Sequence, residues 1–246
     1  MKKRLDLYLL EEGLVATIEK ARGLIMAGQV LVDDHPATKP GRTVSIASQV
    51  RIKPKKGSKW VSRGGLKLVG ALAEWPLDPT QNICLDVGAS TGGFTDVLLQ
   101  HGAKRVYALD VGYGILDWKL VSDPRVVVMD RTNIRHLTPE QIPEPVDLLT
   151  TDVSFISLTK ALPPALAVLR PGGVGIALIK PQFELPRDQV GKGGVVDNPQ
   201  HHQQAVDSIL AQAPTWGLKI LGTAPSPITG PKGNREFLFY YSKISG

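Results

Sequence analysis

The stretch Ile83-Cys84-Leu85-Asp86-Val87-Gly88-Ala89-Ser90-Thr91-Gly92-Gly93-Phe94-Thr95 decides the fold class. An apolar, β-rich run ends at Val87, a turn containing three glycines follows, and a helix opens near Phe94. Glycines at such a turn let the backbone bend sharply and come close to a ligand. Further β-rich runs lie at residues 106–110, 126–130, 147–152 and 174–180, starting 20–27 residues apart with helical stretches between them. That spacing predicts βα units in a parallel, Rossmann-like sheet with helices on both faces. Two last runs, 219–224 and 237–242, flank a Pro/Gly loop and predict an antiparallel pair at the end of the sheet. The expected fold is therefore α/β, mostly parallel, with an antiparallel last strand.

The turn also carries a chemical reading. Asp110 ends the second run, 22 residues after Gly88, where an acid can take both hydroxyls of a ribose. Ser90 stands where the dinucleotide fingerprint G-x-G-x-x-G has its second glycine, the one that makes room for a pyrophosphate. A nucleoside cofactor without phosphate, S-adenosylmethionine, fits better. The candidate cofactor residues are Asp86, Gly88, Ser90, Thr91, Gly92, Gly93 and Phe94, with Asp110, with Asp130 toward the adenine amino group, and with Asp152.

Outward from this body, residues 1–59 read as a separate small α+β unit. Leu5, Leu7, Leu9, Leu10 and Leu14, then Ala16 and Ile18, then Ala21, Leu24, Ile25 and Met26 show helical periodicity, and Gly13 and Gly28 divide them into two short helices. Val30-Leu31-Val32 and residues 44–52 supply short strands, and the charged stretch 53–59 reads as a linker. The charge is uneven. The whole chain of 246 residues has 29 Lys and Arg against 23 Asp and Glu, and the entire excess lies in residues 1–59, with 12 basic and 6 acidic side chains. A basic module on a neutral body points to a polyanionic partner, nucleic acid above all. The candidate contacts to such a partner are Lys2, Lys3, Arg4, Arg22, Lys39, Lys55, Lys56, Lys59 and Arg63.

Specific segments carry a family resemblance. Arg4-Leu5-Asp6, then Ala21 to Val32, then Lys39-Pro40-Gly41 resemble an S4 RNA-binding domain. Residues 60–246 resemble the FtsJ-like ribose 2'-O-methyltransferases. The marks are Trp60-Val61-Ser62-Arg63-Gly64-Gly65-x-Lys67-Leu68, Thr151-Asp152-Val153-Ser154-Phe155-Ile156-Ser157, Ile179-Lys180-Pro181-Gln182-Phe183-Glu184, Gly191-Lys192-Gly193-Gly194-Val195-Val196 and Gly233-Asn234-Arg235-Glu236. Together the two parts resemble the TlyA family, whose members are often labelled haemolysins and are characterised as ribosomal RNA methyltransferases. The chain departs from that family before Trp60, where Ser58 replaces a basic residue.

The resemblance implies an S4-like RNA-binding domain with linker over 1–59 and a methyltransferase domain over 60–246. It implies S-adenosylmethionine as methyl donor, a cytidine ribose 2'-hydroxyl of ribosomal RNA as acceptor, and ribosomal subunits as partners in the cytoplasm. It also implies a catalytic set of Lys67, Asp152, Lys180 and Glu236. Lys180 then either takes the hydroxyl proton or steers the hydroxyl while water takes it. Asp152 is expected to orient Lys180, and Glu236 to orient Lys67.

Other features fill in the expectations. The single cysteine, Cys84, lies mid-strand, which argues for packing and against the cysteine chemistry of carbon methylation. The five histidines show no metal-ligand spacing, so no metal is expected. Nothing at the N-terminus reads as a signal peptide, and no apolar run approaches the ~20 residues of a membrane helix. Trp60, beside the charged linker, is expected to dock one domain on the other. Residues 189–199, rich in glycine, are expected to form a loop or lid beside the site, with Lys192 as a phosphate contact, and Phe155 and Phe183 are candidates for stacking on a base. The rival readings are an RNA-binding assembly factor without activity, a membrane-acting haemolysin, and a nicotinamide-dependent dehydrogenase.

Overall fold

The computed structural model describes residues 2–15, 17–52 and 59–245; Lys55, Lys56, Ser58 and the rest of the linker stretch 53–58 lie outside them. The chain divides into two compact units, Met1–Lys59 and Trp60–Gly246.

The first unit runs β1 (Lys2–Arg4), α1 (Leu5–Glu11), α2 (Ile18–Met26), β2 (Val30–Val32), β3 (His35–Ala37), β4 (Thr43–Ser45) and β5 (Val50–Ile52). Leu5 and Leu9 on α1, and Ala21 and Ile25 on α2, stand four residues apart and so share a face. They are buried with Val30, Val32, Ala37, Val44 and Val50. Thr17 caps α2 by accepting a hydrogen bond from Lys20 N at 3.2 Å. Strand β2 is buried throughout because it lies between β3 and β5. Strand β1 was not expected: Lys2-Lys3-Arg4 has no apolar residue, yet its backbone pairs antiparallel with β4.

The second unit follows with α3 (Gly65–Glu74), β6 (Ile83–Val87), α4 (Gly93–Gln100), β7 (Arg105–Leu109), α5 (Trp118–Val121), β8 (Val126–Met129), β9 (Val146–Thr151), α6 (Leu158–Leu166), β10 (Leu169–Ile179), α7 (Pro181–Glu184), α8 (Pro199–Gln212), β11 (Leu218–Pro225) and β12 (Phe237–Lys243). Among the described residues its strands form one seven-stranded sheet in the order β11-β12-β10-β9-β6-β7-β8. The five strands from β10 to β8 run parallel, and β12 is antiparallel to both β10 and β11.

Alternation along the strands builds two apolar layers. Leu85, Val87 and Leu149 face the layer that includes α6 and α8, while Cys84 and Leu148 face the layer that includes α3 and α4. Each fully buried leucine contributes about 1.5–3 kcal/mol. Trp60 takes part in the packing of the second unit. It is 5% exposed, packs with Leu68, Phe94 and Val97 inside the second unit, and stacks on His101 at 5.9 Å. One connection also departs from strand–helix alternation. Between β8 and β9 the chain makes only short 3-10 turns at Ile134–His136 and Pro139–Gln141. Pro139, Pro143 and Pro145 deny this segment a continuous helix.

Candidate active site

The parallel strands point their carboxyl ends to one edge of the sheet, and the chemistry-bearing residues collect there. Asp152 follows β9, Lys180 follows β10, and Lys67 lies in the first turn of α3. Glu236 arrives from the opposite direction. Because β12 is antiparallel to β10, with Phe237 opposite Ile179, the residue before β12 meets the residue after β10.

The four side chains form a continuous ion-pair chain. Lys67 Nζ lies 2.6 Å from Glu236 Oε2 and 3.0 Å from Asp152 Oδ2. Asp152 Oδ1 lies 2.6 Å from Lys180 Nζ, which also donates to Ser154 Oγ at 3.1 Å. The lysines are almost covered, with side chains 9% and 6% exposed, and Glu236 is fully covered. Burial alone disfavours a charged Lys67, but the carboxylates of Asp152 and Glu236 outweigh it and raise its pKa. Burial pushes Asp152 upward, and Lys180 and Lys67 more than offset it, so its carboxyl stays below the ordinary value. Asp152 thus orients both lysines, not Lys180 alone.

Facing this chain is the glycine-rich turn. Lys67, Asp152, Ser154 and Lys180 share a cleft of about 590 Å³, including its open mouth, with Gly88, Ala89, Ser90, Thr91, Gly93, Phe94, Ser62 and Gly64. Gly88 has φ +83, and a β-carbon there would lie 2.6 Å from the carbonyl oxygen of Asp152. The turn can therefore reach the end of β9 only as glycine.

The other expected cofactor residues stand around the cleft rather than in its wall. Asp86 is fully buried beneath the turn, where Oδ2 accepts from Thr95 N (3.0 Å) and Thr95 Oγ1 (2.7 Å) and Oδ1 accepts from Thr150 Oγ1 (3.0 Å). Burial pushes its carboxyl up to about 7 against those hydrogen bonds. Asp86 fastens the start of α4 to β6 and β9. Asp110 receives Ser90 N on Oδ2 and Gly112 N on Oδ1, both at 2.8 Å, and Asp130 receives Gly114 N at 2.9 Å. Gly92 caps α4 in the left-handed region. Ser62, Gly64, Ala89 and Ser154 line the cleft without having been assigned a role from the sequence; Ser62, Gly64 and Ser154 lie inside the motifs quoted above, which was the available signal.

Two aromatics follow the cleft residues Ser154 and Lys180 in the chain. Phe155 directly follows Ser154, is 92% exposed, holds φ +65 and meets Phe183 at 5.4 Å between ring centroids. Residues 191–196 are anchored rather than loose: Asn234 accepts from Val196 N at 3.0 Å and donates to Gly194 O at 2.9 Å, while Lys232 donates to Gly193 O at 2.6 Å.

The candidate RNA contacts differ among themselves. Lys2 and Lys39 are exposed, Lys3 pairs with Glu11 at 2.6 Å, and Arg4 and Arg22 both bond Asp6. Lys59 is exposed at the end of the first unit. Arg63, in the second unit, donates to the carbonyl of Thr229. Among the described residues no group of three or more His, Cys, Asp or Glu could hold a metal ion, and no helix is long and apolar enough to cross a membrane.

The FtsJ-like methyltransferase model matches residues 60–243, and the S4 domain model matches residues 3–50. A Mycobacterium tuberculosis protein named 16S/23S rRNA (cytidine-2'-O)-methyltransferase TlyA is 45% identical, across 97% of this chain and 89% of that protein. Hemolysin A of Brachyspira hyodysenteriae is 38% identical, across 97% of this chain and 99% of that protein. A solved structure from Streptococcus thermophilus, described as a hemolysin, superimposes with a TM-score of 0.78 at 41% identity, across 99% of this chain and 89% of that one. The chain belongs to the TlyA family: an FtsJ-like methyltransferase carrying an S4 domain at its N-terminus.

Proposed function

We propose that residues 60–246 transfer a methyl group from S-adenosylmethionine to a ribose 2'-hydroxyl of ribosomal RNA, on a cytidine, and that residues 1–59 form an RNA-binding domain with its linker. The observation that carries the reading is the Lys67–Asp152–Lys180–Glu236 chain on the wall of a cleft whose opposite wall is the glycine-rich turn. The name of the mycobacterial relative supports the acceptor. A ribosomal substrate supports a cytoplasmic location.

The residues suit this cofactor. The turn presents backbone rather than bulk, since a β-carbon at Gly88 would strike Asp152 O at 2.6 Å. Two lysines and two carboxylates leave the wall near neutral, so it does not repel a sulfonium. Gly88, Ser90, Thr91, Gly93 and Phe94 would hold the methionine end, and Asp110 and Asp130 the adenosine end. Bound there, S-adenosylmethionine supplies a methyl on an already cationic sulfur, so the protein need not activate the leaving group.

What remains is to align the attacking oxygen and handle one proton. Lys180 meets the 2'-hydroxyl and steers it toward the methyl, and the hydroxyl proton passes to Lys180 or to water. Asp152 fixes the direction of Lys180. Lys67, held charged by Asp152 and Glu236, places a second cation on the other carboxylate oxygen of Asp152. Phe155 offers a platform for an unstacked base at the rim. Cys84 is fully buried and its thiol is pushed up by burial, so it offers no thiolate for carbon methylation.

The test uses labelled S-adenosylmethionine with unmodified ribosomal subunits and the Lys180→Ala variant beside the wild type. Label in RNA from the wild type alone, mapped to a ribose 2'-oxygen, is expected. Cofactor binding without transfer to either subunit or to naked RNA would overturn the reading.

A further inference from the structure

Asp6 is fully buried, yet it carries two arginines whose side chains are half exposed. Arg4 reaches it with Nε on Oδ1 at 3.1 Å and Nη2 on Oδ2 at 2.8 Å. Arg22, sixteen residues on and in the other helix, adds Nε on Oδ2 at 3.1 Å. The backbone N–H of Leu7 supplies a further bond to Oδ1 at 3.0 Å.

Folding alone does not call for this arrangement. Arg4 and Leu7 already give the carboxylate three hydrogen bonds, which is ample for a buried Asp. Arg22 brings a second cation to the same oxygen that Arg4 Nη2 uses. Two guanidiniums so close repel one another, and the carboxylate between them offsets that repulsion. The trio keeps one net positive charge. Three of the four terminal guanidinium nitrogens make no bond to Asp6, because Arg22 engages it only through Nε and Arg4 through Nε and Nη2. The chain from Pro40 to Arg42 crosses beside them: Pro40 O and Arg42 O accept from Asp6 N at 3.1 Å and Leu5 N at 2.8 Å. Lys3, by contrast, pairs with a half-exposed carboxylate, that of Glu11.

We propose that Asp6 is a positioning residue for RNA: it holds Arg4 and Arg22 as a rigid two-guanidinium fork that takes an RNA phosphate. The proposal rests on the reading of the first unit as RNA-binding. A planar fork with its nitrogens fixed matches phosphate oxygens, and fixing it beforehand removes the ordering cost that a free arginine meets on binding. The two arginines hold the Asp6 carboxyl well below the usual carboxylate range, at about 2, so the fork is intact at neutral pH.

Charge and position predict opposite signs for one substitution. Asp6→Asn removes a negative charge from a basic unit, so simple electrostatics predicts tighter RNA binding. Positioning predicts weaker binding. The experiment measures binding of the full chain to deproteinised ribosomal RNA over a salt series, with Glu12→Gln as a control that makes the same charge change at an exposed site. Asp6→Asn is expected to weaken binding about tenfold while Glu12→Gln leaves it equal or tighter.

A melting curve accompanies each variant. If Asp6→Asn does not fold, the comparison of Arg22→Gln with Lys20→Gln decides, since both remove one cation from α2 and Arg22→Gln leaves Asp6 bonded to Arg4 and Leu7. Arg22→Gln should weaken binding about tenfold more than Lys20→Gln and lower the salt slope by about one. Asp6→Asn binding as tightly as wild type, or Arg22→Gln matching Lys20→Gln, would overturn the fork. A wild type with no salt-dependent RNA binding would instead remove the RNA-binding reading itself.

Discussion

Gly230 closes directly on Glu236: a β-carbon at residue 230 would lie 2.7 Å from Glu236 Cδ and closer still to Oε1. Glu236 cannot retreat, because its side chain is fully covered and paired with Lys67 at 2.6 Å. Gly230→Ala is therefore expected to push Glu236 off Lys67. Overpacking of this kind costs about 1–3 kcal/mol. Methyl transfer should fall tenfold or more, since each tenfold loss requires only about 1.4 kcal/mol at the transition state. Single-turnover kinetics with parallel cofactor titration would check this, and an unchanged turnover rate would show that Glu236 tolerates displacement.

Asp152 is the shared counter-ion of two nearly buried lysines, so Asp152→Asn should be among the most damaging changes in the second unit. Removing one partner of a buried ion pair costs about 3–5 kcal/mol. The variant is expected to lose activity and to unfold at markedly lower urea. The sign at high pH follows from Lys67, whose pKa is raised in the folded state. Its stabilisation is complete below the ordinary lysine value, about 10.4, and is lost as pH rises through the folded value. Wild-type stability should thus decline in alkali, and Asp152→Asn should decline less.

Asp86 should behave in the opposite sense from an exposed acid. Its folded pKa is raised to about 7 by burial, above the unfolded value. Between about pH 4 and 7 the folded state holds a proton that the unfolded state has released, so stability falls as pH rises through that window and levels off above it. Asp86→Asn removes the titration. Its amide oxygen can still accept from Thr95 while its NH2 donates to Thr150 Oγ1. Urea melts at pH 5 and pH 8 should show a smaller difference for the variant than for the wild type, and an equal difference would place the titration elsewhere.

Phe155 is held in a left-handed conformation that costs a non-glycine residue about 1–3 kcal/mol, yet it is 92% exposed. Phe155→Gly should relieve the backbone and leave stability equal or higher. It should also weaken RNA turnover about tenfold, as expected for loss of one base-stacking surface, without changing cofactor affinity. Phe155→Tyr should retain turnover. Loss of cofactor binding in Phe155→Gly would assign the ring to the cofactor side of the cleft instead.

The centre of the second unit's sheet was legible because strands such as Ile83–Val87 and Arg105–Leu109 are short, mostly apolar runs. What stayed hidden depended on partners distant in sequence. Strand β1 consists of three charged residues and exists through backbone pairing with β4, which no apolar pattern announces. Trp60 stands beside charges in sequence but against Leu68, Phe94 and Val97 in space. Asp86 looked like a ligand-facing acid because nothing nearby in sequence reveals that Thr95 and Thr150 enclose it. The ion-pair residues were legible only through their motifs, since 169 positions separate Lys67 from Glu236, and the sharing of Asp152 between two lysines emerges from the geometry alone.

The reversed direction of β12 has a consequence for the order of events during synthesis. Lys67, Asp152 and Lys180 all leave the ribosome before Glu236, and Glu236 reaches its place only when β12 inserts between β11 and β10. Until then Lys67 lacks the nearer of its two carboxylates. A nascent chain that has already formed its glycine-rich turn therefore still lacks the complete ion-pair chain, which closes together with the last strand of the sheet.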